Sequence, residues 1–257
     1  MPNIEIMGRR AHYMTPRGKR SENGEGVMFV HGAGGRGSIW HSQIKALSGK
    51  AFLCAPDLPG HGGSEGPSSS CVTDYSAFVL ALADALGMER FDMVGHSMGG
   101  AISIETAVNH PDRIKRLVLV GTGGKLGVTE AILFGLANDF DGTMDMMRTF
   151  GFAPGADPDI VEPLIAELKA CSPKTALDDF TACDRFDRRP DLNKIGMPTM
   201  VLCGKEDLLT PEKYSIHLHN AIAGSVLKVF ENAGHMVQVE KAEEINRALL
   251  EFLFGEK

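Results

Sequence analysis

The segment Gly95-His96-Ser97-Met98-Gly99-Gly100 constrains this chain's fold more than any other stretch. It sets a serine between close glycines directly behind the apolar run Phe91-Asp92-Met93-Val94, and Ala101, Ile104, Ala107 and Val108 follow at helical spacing until Pro111. A strand that turns sharply into a helix, with serine at the turn, is what Gly-x-Ser-x-Gly builds. Small residues at 95 and 99 let the turn close and push the hydroxyl outward, so Ser97 is the candidate nucleophile.

The same strand-then-helix alternation recurs along the chain. Apolar runs at 27–30, 51–55, 91–94, 117–120, 199–203 and 226–230 predict strands, and the spacing over 74–87 and 242–253 predicts helices. Alternation of this kind predicts an α/β fold, a mainly parallel sheet covered by helices on both faces. The opening residues, near 3–15, predict an antiparallel edge. Between Thr122 and Pro190 the alternation gives way to helical segments punctuated by glycine and proline, which predicts a helical insertion after the sixth strand. The expected organisation is therefore a core in two parts, residues 1–122 and 191–257, with a helical cap at 123–190. The insert carries Phe134, Phe140, Phe150, Phe152, Met144, Met146 and Met147. Packing accounts for most of them, and a lid that walls an adaptable apolar pocket accounts for the excess.

Composition narrows the partners. A net charge of −7 with scattered basic residues argues against nucleic acid and anionic membrane. No run approaches the roughly 20 apolar residues of a membrane span, and the N-terminus has no apolar signal core, so the expected location is the cytoplasm. Cys54, Cys71, Cys171, Cys183 and Cys203 are odd in number and form no Cys-x-x-Cys pair, which predicts neither a disulfide framework nor zinc. Neither phosphate-binding glycine pattern is present. A small-molecule partner with no cofactor and no metal is the expectation, and monomer and homo-oligomer are both compatible with it.

A serine hydroxyl is a weak nucleophile that needs a histidine base and a carboxylate to orient the base. Gly204-Lys205-Glu206-Asp207 follows the 199–203 strand, and Asn232-Ala233-Gly234-His235 follows the 226–230 strand. Both stand at C-terminal strand ends, where open parallel sheets place their crevice. Asp207 is the candidate acid, with Glu206 as runner-up, and His235 the candidate base. His12, His41, His110, His217 and His219 are placed on helix surfaces or loops. An oxyanion needs donors as well. Met98 supplies one through its backbone N–H, and the loop His31-Gly32-Ala33-Gly34-Gly35 supplies another, from Ala33 or alternatively Gly34. Gly34, Trp40, Phe134, Phe140, Met144, Met147 and Met236 are the expected substrate contacts.

Taken together, His-Gly-Ala-Gly-Gly at 31–35, Asp57-Leu58-Pro59-Gly60-His61-Gly62 with Ser64, Gly-His-Ser-Met-Gly-Gly, Gly-Lys-Glu-Asp at 204–207 and Ala-Gly-His at 233–235 resemble the α/β-hydrolase superfamily. The resemblance implies an eight-stranded α/β-hydrolase fold with Ser97 as nucleophile, Asp207 as acid, His235 as base, Ala33 and Met98 as oxyanion donors, and Asp57 and His61 as loop braces. It also separates relatives. Dehalogenases and epoxide hydrolases use a carboxylate where this chain has Ser97, and cofactor-free haloperoxidases carry an aromatic residue where it has Ala33. Meta-cleavage-product hydrolases are similar through Ser-Met-Gly-Gly, but carry Asn and Trp where this chain has His96 and Met236. The expected activity is that of a serine carboxylesterase for short to medium acyl esters. The enzymatic alternative is carbon–carbon bond or enol-lactone hydrolysis, with Arg185, Arg188 or Arg189 holding a substrate carboxylate. From another class, a receptor can keep the fold and bind small molecules without turnover.

Overall fold

A computed structural model describes residues 2–16 and 26–256, so the expected outer bounds at residues 1 and 257 lie outside the described residues. The strands are β1 (Asn3–Ile6), β2 (Arg9–Met14), β3 (Gly26–Val30), β4 (Phe52–Pro56), β5 (Phe91–His96), β6 (Ile114–Val120), β7 (Thr199–Gly204) and β8 (Val226–Phe230). They form one eight-stranded sheet in the order β1-β2-β4-β3-β5-β6-β7-β8. β1 and β2 pair antiparallel, as does β2 with β4, and all other pairs are parallel. His12, expected at a surface or loop, lies in β2, where its Nδ1 stands 2.8 Å from Asp57 Oδ2.

The helices are α1 (His41–Ala46), α2 (Val72–Ala85), α3 (Met98–Asn109), α4 (Glu130–Asn138), α5 (Phe140–Phe150), α6 (Pro158–Lys169), α7 (Pro173–Arg185), α8 (Glu212–Ala221), α9 (Val237–Glu240) and α10 (Ala242–Phe254). Side chains alternate across each strand, and so divide the core in two. Met28, Val30, Met93, Leu117 and Leu119 pack under α2, α3 and α8, whereas Val27, Phe29, Val94, Val118 and Val120 pack under α1 and α10. Burial on both faces explains why the central strands read as continuous apolar runs.

Helices α4–α7 occupy the span between β6 and β7. Each begins at a side-chain cap: Thr129, Asp139, Asp157 and Ser172 accept from Ile132, Gly142, Asp159 and Thr175 N–H respectively. Pro158 and Pro173 open α6 and α7, where the missing N–H costs nothing. These helices bury a separate apolar cluster that includes Leu136, Met144, Met147, Phe152, Val161 and Ile165, and Met236 from the loop behind β8 joins it.

Register fixes where the functional loops emerge. Val30 lies beside Gly95, His96 beside Val120, Val120 beside Leu202, and Gly204 beside Phe230. The C-terminal ends of β3, β5, β6, β7 and β8 are therefore level, and the loops after them gather along one edge.

Candidate active site

Ser97 sits between the last residue of β5 and the first of α3, with φ 54° and ψ −117°. A non-glycine residue there costs on the order of 1–3 kcal/mol, which the surroundings must offset. Ser97 N–H donates to Val120 O at 3.0 Å, and Thr122 Oγ1 donates to Ser97 O at 2.8 Å. The flanking glycines are steric necessities. A Cβ on Gly95 would strike Gly99 O and Ser103 Oγ, and one on Gly99 would strike the Val30 carbonyl.

Asp207 and His235 meet across the loops behind β7 and β8. His235 Nδ1 lies 2.9 Å from Asp207 Oδ2, and Thr210 Oγ1 donates to the same oxygen at 2.8 Å. Oδ1 accepts from Leu209 N–H at 2.9 Å and Thr210 N–H at 2.8 Å. Burial by itself would raise the pKa of this carboxyl, but the charge and hydrogen bond of His235 and the Thr210 donors hold it below its ordinary value. A carboxylate at Nδ1 keeps the proton on that nitrogen and leaves Nε2 with a free lone pair. Glu206 is elsewhere. Its Oε2 accepts from Ala233 N–H at 2.9 Å, which closes the loop rather than facing the ring.

The loop that carries His235 is also tied to the insert. Glu240 accepts from Gly234 N–H and from Ala153 N–H, at 2.9 and 2.8 Å, and Met236 N–H donates to Gly151 O at 2.9 Å. Burial pushes the Glu240 carboxyl above its ordinary pKa. No sequence signal marks this bridge, because Glu240 sits among other acidic and polar residues.

Opposite, the loop after β3 is braced by buried polar groups. Asp57 accepts from Gly37 N–H and Gly63 N–H, each at 2.8 Å. Gly34 N–H donates to Asp179 Oδ2 at 2.8 Å and is already engaged. Among the described residues, neither the Ala33 nor the Met98 N–H has a hydrogen-bond acceptor.

Ser97 and His235 open on a cavity of about 730 Å³. Ala33, Phe134, Met144, Met147 and Met236 line it, and so do Met146, Phe150 and Leu209. Three residues expected at the substrate lie elsewhere. Trp40 is fully buried beneath the sheet, its ring centroid 5.3 Å from that of Phe29, because the turn before α1 points it into the core. Phe140 packs against the insert's own apolar cluster, as a side chain at the first position of an amphipathic helix can. Gly34 is outside the lining because its N–H turns toward Asp179. Among the described residues lining the cavity there is no lysine or arginine, and Asp139 is the one carboxylate, its oxygen spent on capping α5. Arg188 is bonded to Glu105 and Asp191, Arg189 to Asp187, and Arg185 to Ser70, so none of the three arginines reaches the cavity.

Known proteins share this architecture. The chain is 30% identical to a 2-hydroxymuconate semialdehyde hydrolase of Pseudomonas putida, over 90% of this chain and 89% of that one. Among solved structures it is similar to an enol-lactonase from Burkholderia xenovorans LB400, with a TM-score of 0.89, 26% identity and coverage of 98% and 99% of the two chains. It is also similar to a thermophilic esterase, with a TM-score of 0.86, 33% identity and coverage of 98% and 96%. Residues 27–248 match the alpha/beta hydrolase family, and with that span, this sheet order and this loop edge the chain belongs to that family.

Proposed function

We propose that this hydrolase is a serine carboxylesterase acting on short to medium acyl esters. Ser97 Oγ attacks the ester carbonyl as its proton passes to His235 Nε2, and that proton then leaves with the alcohol. His235 next takes a proton from water as the water oxygen attacks the acyl carbon, and gives that proton to Ser97 Oγ as the bond to Ser97 breaks and the acid leaves. Asp207 holds the tautomer of His235, and the Ala33 and Met98 N–H groups receive the oxyanion. Residues 123–190 act as a cap that shapes the acyl pocket.

One observation carries the reading: Ser97 and His235 open on a largely apolar cavity whose described lining offers no cation. A neutral ester meets apolar walls there. Muconate and heptadienoate compounds, named in the relatives' activities, are carboxylates and would enter a site without a counter-charge. The enol-lactonase likeness favours a second reading, a neutral lactone opened by the same residues. Initial rates on p-nitrophenyl acetate, butyrate and octanoate, on an uncharged lactone and on a carboxylate-bearing vinylogous diketone test both. Esters are expected to exceed the diketone by at least about a hundredfold in kcat/KM, since an unpaired buried charge costs several kcal/mol. A diketone that outruns every ester sinks the reading. A lactone that outruns every ester moves it to the second. A saturably bound ester that is never turned over makes the protein a receptor.

A further inference from the structure

Asp179, in α7, has no exposed surface, and three parts of the core converge on it. Its Oδ2 accepts from Gly34 N–H at 2.8 Å and stands 2.8 Å from His61 Nε2, while Oδ1 accepts from the Tyr75 hydroxyl at 2.5 Å. His61 Nδ1 faces the Pro59 carbonyl at 3.1 Å. A carbonyl oxygen and an ionised carboxylate oxygen only accept, so beside an Asp179 carboxylate both ring nitrogens carry protons and His61 is an imidazolium. Burial lowers the pKa of that ring, but the charge and hydrogen bond of Asp179, with lesser help from Pro59 and Asp57, leave it above its ordinary value. The other titratable groups facing the pair are His31, Tyr75, Cys171 and Cys183. His31 lies against His61 with ring centroids 4.9 Å apart. Its Nδ1–H donates to Gly32 O at 2.8 Å and its Nε2 accepts from Leu58 N–H at 3.1 Å, so that ring is neutral.

On the ester-hydrolase reading above, we propose that Asp179 is a positioning residue. Its carboxylate, paired with the His61 cation, fixes the Gly34 N–H and so holds the neighbouring Ala33 N–H where the oxyanion forms. The geometry has two consequences. Gly34 N–H is not an oxyanion donor, because it is engaged. The oxyanion loop is also set by a residue of the insert, so seating of α7 and competence for chemistry are the same event. The sequence offered no cue, because Asp178-Asp179 reads as an exposed pair on a helix.

The test uses the full chain, p-nitrophenyl butyrate, and an alkyl trifluoromethyl ketone, whose adduct with Ser97 places an alkoxide where the oxyanion forms. Asp179→Asn is expected to lower kcat at least about tenfold, to leave KM within about threefold, and to weaken the ketone in proportion to kcat/KM. Tyr75→Phe removes the Oδ1 bond and the acceptor of Ser69 N–H, spares the Gly34 and His61 contacts of Oδ2, and is expected to keep kcat within about threefold. If Asp179→Asn does not fold, His61→Gln replaces it, with the same split at about fivefold. A folded Asp179→Asn or His61→Gln with wild-type kcat and ketone affinity overturns the proposal. So does an equal loss in Tyr75→Phe, which would mark general loosening. Failure of the ester reading is distinguishable, since it appears as an inactive wild type before any variant is made.

Discussion

The Nε2–H of His96 donates to the backbone carbonyl of His235 at 3.0 Å, and the two rings lie with centroids 4.7 Å apart. The donor must be Nε2, because a carbonyl only accepts, and Nδ1 is buried without a partner. Burial, then repulsion from His235, pushes the pKa of His96 down to about 3. His96 therefore stays neutral near pH 7. The expected result is an acid limb of kcat/KM with unit slope, from the one ionisation of the base. A limb of slope two between pH 5 and 8 would mean that a second histidine titrates with it.

Acid should also unfold the protein through the same buried rings. Burial first, then the charge of His61, takes His31 from an ordinary 6.5 to about 4, and His96 falls from 6.5 to about 3. Both folded-state values lie below the unfolded ones, so the unfolded chain binds more protons in that interval. Their contribution is full above about pH 6.5 and is lost as pH falls toward the folded values. His61 has the opposite sign: its raised value gives stability that is full below 6.5 and fades as pH climbs through it. Urea unfolding at pH 7 and pH 4.5 should differ by on the order of 2 kcal/mol or more in favour of pH 7. Equal stability at the two values would contradict the neutral assignment of His31 and His96.

Replacing Ser97 should separate strain from chemistry. Ser97→Ala keeps the φ of 54° and removes the nucleophile, so activity is expected to fall at least about a thousandfold with little change in stability. Ser97→Gly removes the nucleophile and relieves the backbone, and should unfold at higher temperature, by a gain of about 1 kcal/mol. Thermal melts and p-nitrophenyl butyrate assays on both variants check this. A tenth of wild-type activity in Ser97→Ala would move the nucleophile elsewhere.

The acid is tested by contrast between neighbours. Asp207→Asn offers His235 Nδ1 an amide and favours the wrong tautomer, so kcat should drop by about a thousandfold or more. Glu206→Gln keeps an oxygen for Ala233 N–H and should retain most activity. Equal losses in the two variants would show that closure of the loop, and not the carboxylate at the ring, is what matters.

Much of this was legible because it is local. The glycines around Ser97 are demanded by packing within a single strand–turn–helix, and the strand ends bearing Asp207 and His235 follow from hydrophobic patterning and sheet register. Placement of side chains in three dimensions was not local. Trp40 and Phe140 are apolar residues near the site in sequence, yet which face of a turn or helix they present is decided by partners such as Phe29 that lie far along the chain or by the insert's own packing. Asp179 and Glu240 were invisible for the same reason: their partners, Gly34, His61, Tyr75, Ala153 and Gly234, come from distant segments.

The cavity assigns different outcomes to the insert's phenylalanines. Phe134 and Phe150 line it, and Phe134 is 70% exposed at its mouth, whereas Phe140 packs into the insert's cluster and Phe152 is buried there. Substituting a lining ring by alanine changes the apolar surface met by a long acyl chain more than that met by a short one. Burying one methylene of the acyl chain against the wall is worth about 0.8 kcal/mol, or several-fold in kcat/KM. Phe134→Ala and Phe150→Ala should therefore shift the ratio of octanoate to butyrate activity at least about threefold. Phe140→Ala and Phe152→Ala should leave that ratio near wild type and lower stability instead. The buried Phe152 should cost the more, about 3–5 kcal/mol for a ring in a core that cannot collapse. Parallel measurement of the activity ratio and of urea midpoints for the four variants decides it. If Phe140→Ala or Phe152→Ala moved the ratio as far as Phe134→Ala, chain length would be read through the packing of the insert, and not through direct touch with the cavity wall.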